Sequence, residues 1–192
     1  MLYDLLIKNR SYRRFDESFE VSSDLLCELV ELARITPSSV NWQPLRFALI
    51  NDRELNAAIF DNLAWAGLLK GWKGPEAGER PSAYVVILTD TTVAKNMKTD
   101  VGIVAQTIML GAVEKGLGGC MIGSVNRENV YDILKIDRER YTIDLVLALG
   151  KPAETVKIVD LPDDGCTNYF RDENGVHYVP KRSVDDLIVF RG

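Results

Sequence analysis

Between Met97 and Leu117 the chain presents apolar side chains on nearly every face of a helix. A helix that is apolar all round has no face to give to water, so protein must surround it. Its most apolar stretch, Val101 to Val113, is far shorter than the roughly 20 apolar residues that span a bilayer, and Gln106 and Thr107 interrupt it. The helix therefore belongs at the centre of a globular core. Strands are expected on either side of it: Ala83–Leu88, Gly118–Gly123 and Tyr141–Leu149, the last running into Gly150-Lys151-Pro152.

The remaining elements do not alternate regularly. A short helix over Tyr3–Lys8 precedes a longer one capped at Ser22 or Ser23, whose stripe of Leu25, Leu26, Leu29, Val30 and Ala33 stops before Pro37. Arg46–Ile50 reads as a strand, Asp52 starts a helix towards Phe60, and Asn126 caps another. Residues 67–81 form a Gly- and Pro-rich loop beside Trp65 and Trp72. Asn174-Gly175 turns a hairpin between Tyr169-Phe170 and Val176–Val179, and Ser183 caps a final helix. This mixed order predicts an α+β domain over residues 1–192 rather than a doubly wound sheet. With 192 residues, 46% of them hydrophobic, the chain can bury one full core.

A net charge of -5 argues against a general nucleic-acid binder, which must neutralise phosphates along its surface. No signal peptide is visible, and Cys27, Cys120 and Cys166 lack paired spacing, so a reduced, cytoplasmic setting is expected. The same scatter gives no metal-ligand pattern. Cys120, inside an apolar strand, reads as core. His177, the only histidine, reads as structural or exposed. Gly116, Gly118 and Gly119 precede a strand instead of following one, so they do not form a dinucleotide-binding loop.

Two segments carry chemistry. Arg10-Ser11-Tyr12-Arg13-Arg14-Phe15 concentrates guanidinium and hydroxyl groups after the first helix. Pro37-Ser38-Ser39-Val40-Asn41-Trp42-Gln43-Pro44 concentrates hydroxyls and amides after the second. Guanidinium forks bind phosphate, and Ser, Asn and Gln orient a polar heterocycle. Together they read as two walls of a site for a phosphorylated, ring-bearing cofactor.

These two blocks, with Gly116–Ser124, Leu147–Pro152 and Lys181-Arg182, resemble the FMN-dependent nitroreductase family in order and over nearly the whole chain. The resemblance implies a nitroreductase-like fold, with a central mixed sheet flanked by helices and a segment-swapped homodimer holding FMN at its interfaces. It places Arg10 and Ser11 on the FMN phosphate and ribityl chain, and Arg13 beside the pyrimidine edge. Lys181 and Arg182 close on the phosphate, with greater weight because Asn9 stands where many members are basic. Pro37, Ser38, Ser39 and Asn41 form the wall supplied by the partner subunit, with Gln43 close to it. Met121, Ile122 and Gly123 approach the reactive edge of the flavin. The implied reaction is ping-pong transfer from NADH or NADPH to a nitroaromatic or quinone, with no catalytic side chain. A redox-sensing flavoprotein without turnover, or another FMN reaction such as reductive dehalogenation or enoyl-type oxidation, remain the alternatives.

Overall fold

The computed structural model describes all residues from Met1 to Gly192. Its organising element is a fully buried strand. We number the elements α1 (Leu2–Lys8), β1 (Phe15–Asp16), α2 (Ser23–Arg34), β2 (Leu45–Ile50), α3 (Arg53–Phe60), β3 (Ala83–Asp90), α4 (Lys98–Glu114) and β4 (Gly118–Ile122). Then follow α5 (Arg127–Leu134), β5 (Tyr141–Pro152), β6 (Val156–Asp160), β7 (Phe170–Arg171), β8 (His177–Lys181) and α6 (Val184–Leu187). Every residue of β3 is buried. Successive side chains of a strand point to opposite faces, so β3 feeds two cores. Ala83, Val85 and Ile87 pack with Leu26 and Leu29 of α2 and Val104, Ile108 and Ala112 of α4. Tyr84, Val86 and Leu88 pack on the other side with Ile59 of α3 and Val130 and Tyr131 of α5.

The sheet is built around β5, which pairs antiparallel with β3, β4 and β1, while β2 pairs antiparallel with β3. The mixed character implied for this sheet comes down to one parallel bridge, Ser11 to Gly119. Helices cover both faces, which explains why an antiparallel strand such as β3 is a continuous apolar run instead of alternating. α4 lies centrally, as its composition requires, with Asp100 among its buried residues. The anticipated caps are present: Ser22 accepts from Leu25 N–H at 3.1 Å and Asp52 from Leu55 N–H at 2.9 Å. No helix is long and apolar enough to cross a membrane.

The last third forms a second sheet, β6-β8-β7. The expected hairpin is there: Gly175 adopts φ 77°, and Asp172 Oδ1 accepts from Asn174 N–H at 3.0 Å and Val176 N–H at 2.8 Å. β6, and its parallel pairing with β8, were not expected from the sequence. α6 is a single turn, beyond which Val189 and Phe190 are exposed.

Two glycines set how closely the first loop approaches the sheet. A Cβ on Gly118 would lie 2.5 Å from the Tyr12 ring, and one on Gly119 would lie 2.2 Å from the Ala148 carbonyl oxygen. Neither space can open without moving backbone or a packed ring. Gly119→Ala is expected to destabilise the protein by about 3 kcal/mol, the upper end for overpacking. Urea unfolding monitored by circular dichroism checks this, and a loss below about 0.5 kcal/mol would show that β4 can shift.

Candidate functional site: two cavities and a strained loop

α1 ends at Asn9, whose extended backbone turns the chain away from the helix. Arg10 Nη2 reaches back to the Leu6 carbonyl at 2.6 Å, and Tyr12 N–H donates to the Gly119 carbonyl at 2.9 Å. The cationic turn is thereby laid along the start of β4. A cavity of about 350 Å³ opens beside it, lined by Asn9, Arg10, Ser11, Arg13, Gln106, Met109, Met121, Tyr169, His177, Val179 and Lys181.

Buried charge organises this cavity. Arg13 is only 9% exposed. Its backbone N–H and that of Arg14 both donate to Glu154 Oε1, the latter at 3.1 Å. Arg171 Nη2 donates to Glu154 Oε2 at 2.7 Å, and that carboxylate side chain is 2% exposed. Arg13 Nη1 meets the Ser11 carbonyl at 3.2 Å and His177 Nε2 at 3.3 Å, while its guanidinium carbon sits 4.8 Å from the Tyr169 ring centre. Arg10 Nε is buried with no partner in the chain. A buried guanidinium N–H without an acceptor is costly, and an anionic oxygen is the natural acceptor for it. Burial raises the Cys120 thiol above its usual pKa, which keeps it protonated core, as its sequence context predicted.

The hydroxyl segment lies elsewhere in the same chain. Ser39 donates its N–H to Asp100 Oδ2 at 3.1 Å and its Oγ–H to Asp100 Oδ1 at 2.6 Å. Asp100 is 1% exposed in the first turn of α4, where a carboxylate is favoured by the helix dipole. Ser38 Oγ accepts from Gln43 N–H at 3.2 Å, and Gln43 Nε2 donates to Asn41 Oδ1 at 3.1 Å. Between them the backbone turns left-handed at three non-glycine positions: Val40 (φ 52°), Asn41 (φ 56°) and Gln43 (φ 51°). For a β-branched residue such as Val40 this is an outlier, and such strain persists only where surrounding contacts over-determine it. Val40 is nevertheless 79% exposed and Trp42 54%.

Within one chain, Arg10, Ser11, Arg13, Met121 and Lys181 thus share a cavity. Pro37, Ser38 and Gln43 line a different one, of about 620 Å³, and Ser39 and Asn41 belong to the loop at its edge. Ile122 points its side chain into the core, leaving only its backbone for a ligand. Gly123 is exposed with open space where a Cβ would stand. Arg182 is exposed and outside the cavity lining. Sequence reasoning missed Glu154, Tyr169, Arg171 and Asp100, none of which sits in a recognisable pattern. Of the two readings of His177, structural or exposed, its burial agrees with the first: the imidazole is 1% exposed and part of the cavity wall. The 67–81 loop is tied to the same region, with Leu68 N–H donating to Tyr169 Oη at 3.3 Å and Arg171 lying 5.0 Å from the Trp72 ring centre.

The model of the nitroreductase family matches residues 6–151. The chain belongs to the nitroreductase family. Among its relatives, a Bacillus subtilis protein provisionally named NAD(P)H nitroreductase YdgI is 27% identical over 184 residues, 79% of this chain and 88% of that protein. An iodotyrosine deiodinase from Thermotoga neapolitana is 26% identical over 197 residues, 93% of this chain and 97% of its own. The family fold is shared with a nitroreductase family protein from Streptococcus pneumoniae (18% identity, TM-score 0.72, all of both chains). It is shared also with an Exiguobacterium sibiricum protein, provisionally a nitroreductase and crystallised with FMN (20% identity, TM-score 0.69, 85% of this chain and 94% of that one). The match to the family model stops before Glu154, so the residues that brace Arg13 from β7 and β8 lie outside it.

Because Asp100 accepts both the N–H and the hydroxyl of Ser39, Asp100→Ala is expected to cost about 1.5–3 kcal/mol, the range for a hydrogen-bonded charged group. It should also expose the 38–43 loop to limited proteolysis. Unchanged urea midpoint and cleavage rate would show that the loop holds its shape without Asp100.

Proposed function

We propose that the chain is an FMN-dependent oxidoreductase that passes electrons from NADH or NADPH to a small acceptor, such as a nitroaromatic or quinone, in two half-reactions. We further propose that one nitroreductase-like domain spans residues 1–192 and works as a homodimer with an FMN site at each interface. The observation that carries this reading is the unpartnered, buried Arg10 Nε in a cavity that also gathers Arg13 and Lys181. That donor set fits the phosphate and polar ring of FMN.

Arg10, Ser11 and Lys181 hold the phosphate end, and the exposed Arg182 adds charge at the rim. Arg13, fixed from both sides, presents a permanent cation to the ring's polar edge. Met121 and the backbone of Ile122 and Gly123 bound the reactive side. The bound flavin supplies the hydride-accepting and electron-donating chemistry, while the protein supplies position, field and exclusion of water. No side chain is assigned a catalytic proton transfer. The second wall comes from the other copy. None of Pro37, Ser38, Ser39, Asn41 and Gln43 lines the arginine cavity of its own chain, and Pro37, Ser38 and Gln43 line another one. Their strained loop instead projects apolar Val40 and Trp42 outwards, which suits insertion into a partner.

Reductive dehalogenation is the second reading, favoured by the likeness along 93% of the chain to the Thermotoga iodotyrosine deiodinase. Iodide release from iodotyrosine by the reduced protein, at a rate above its turnover of quinones and nitroaromatics, would put this reading first.

The purified protein is expected to be yellow, to release FMN on denaturation, and to bleach anaerobically with NADH or NADPH. A preparation that takes up no FMN ends the proposal; one that binds FMN but bleaches with neither donor fits a redox sensor instead. Arg13→Gln is expected to lower the flavin reduction potential, since a cation beside the reduced ring contributes about 1.5–3 kcal/mol. Spectroelectrochemistry reads this directly, and an unchanged potential with FMN still bound would remove Arg13 from the ring's edge.

A further inference from the structure

The guanidinium of Arg13 needs more than Glu154 to stay in the cavity wall, because Glu154 receives the Arg13 backbone N–H and not its side chain. The side chain is held by the Ser11 carbonyl, the face of Tyr169 and the ring of His177. Arginine carries only donors. The 3.3 Å approach of Arg13 Nη1 to His177 Nε2 therefore requires an unprotonated Nε2, which places the imidazole proton on Nδ1. Nδ1 is buried and has no partner in the chain. Histidine's other neighbours agree with a neutral ring. Tyr169 lies against it with ring centres 5.2 Å apart. Arg171 is nearby on β7, Lys181 lines the same cavity from β8, and α4 contributes only uncharged Gln106 and Met109. Glu154 is the one carboxylate close by, and it is already engaged by two backbone N–H groups and Arg171.

We propose that His177 is the positioning residue for Arg13: its neutral Nε2 lone pair fixes the guanidinium at the cavity wall, and the Nδ1–H tautomer is the form that does so. The consequence for the flavin rests on the FMN reading above; the Arg13–His177 pair itself does not. Burial first, and the Arg13 charge second, push the imidazole below its ordinary pKa. Uptake of a proton would take away the acceptor and set a second cation at hydrogen-bond distance from the first. Asn9, Arg10 and Ser11 come from the family-matched part of the chain, whereas His177 comes from a strand beyond it. That division makes β8 a brace added from outside the matched region.

His177 is the sole histidine, so its ring nitrogens give unambiguous signals in ¹⁵N-imidazole spectra of the full-length holoprotein. At pH 7.5 the expected result is a neutral ring with the proton on Nδ1 and an acceptor Nε2. In Arg13→Ala the tautomer should revert to Nε2–H, the usual preference of a free imidazole, and the pKa should rise. A wild-type Nε2–H tautomer overturns the proposal whether or not FMN binds. The second measurement is the flavin midpoint potential at pH 8 in two variants. H177Q keeps an acceptor oxygen and should stay near wild type. H177L should shift the reduced-to-oxidised ratio about tenfold towards oxidised, ~30 mV for a two-electron couple. Equal potentials in the two variants would show His177 to be mere packing. If Arg13→Gln leaves the potential unchanged while the Nδ1–H tautomer is seen, the pair stands and the flavin assignment of Arg13 falls. If the protein binds no FMN, the tautomer and its response to Arg13→Ala still decide the pair.

Discussion

The cationic turn can lie where it does because β4 begins with two residues that have no side chain. Gly118 leaves room for the Tyr12 ring, and Gly119 allows the strand to run tight against Ala148 on β5. The Tyr12 N–H then reaches the Gly119 carbonyl, and the turn becomes an extension of the sheet edge instead of a free loop. Arg10, Ser11 and Arg13 inherit their directions from that attachment. A Cβ on Gly118 would press on the Tyr12 ring of the turn, and one on Gly119 would press β4 away from β5, to which the turn is tied through β4.

Charge in this region is arranged so that each buried cation has a reason to stay. Glu154 is nearly sealed from solvent, yet both oxygens are engaged, which is what makes a buried carboxylate tolerable. By accepting two successive backbone N–H groups it fixes the turn at Arg13 and Arg14, and by pairing with Arg171 it ties that turn to the C-terminal hairpin. Arg171 in turn lies over Trp72, and Tyr169 accepts from Leu68, so the 67–81 loop is joined to the same frame. Arg10 Nε is among the buried polar atoms here that have no hydrogen-bond partner in the chain, together with Arg171 Nε and His177 Nδ1.

The strained loop at Val40–Gln43 shows the opposite strategy. Asp100, held at the start of the central helix, grips Ser39 through both backbone and side chain. The loop beyond it is then free to carry three left-handed residues and to expose Val40 and Trp42. A stiff root with an outward apolar tip is a poor design for a lone chain and a sensible one for a segment that docks against a second copy.

Much of this was legible before any coordinates. Local signals that act over a few residues, such as the caps at Asp52, Asn126 and Ser183, the Asn174-Gly175 turn and the apolar runs of β3 and α4, depend on nearest neighbours and are legible directly, while the choice of Ser22 over Ser23 as a cap came with the structure. The strand β6 was not legible, because Val156–Asp160 is half exposed and owes its form to pairing with β8. The same limit applies to the site. Guanidinium and hydroxyl groups announce themselves by their chemistry, so Arg10, Ser11, Arg13 and the 37–43 segment stand out in the sequence as candidates. Glu154, Tyr169, Arg171 and His177 carry no local pattern. They matter only because β7 and β8 fold back beside the first turn, and contacts across 140 or more residues between Glu154 and Arg14 are set by packing, which no short stretch of sequence encodes.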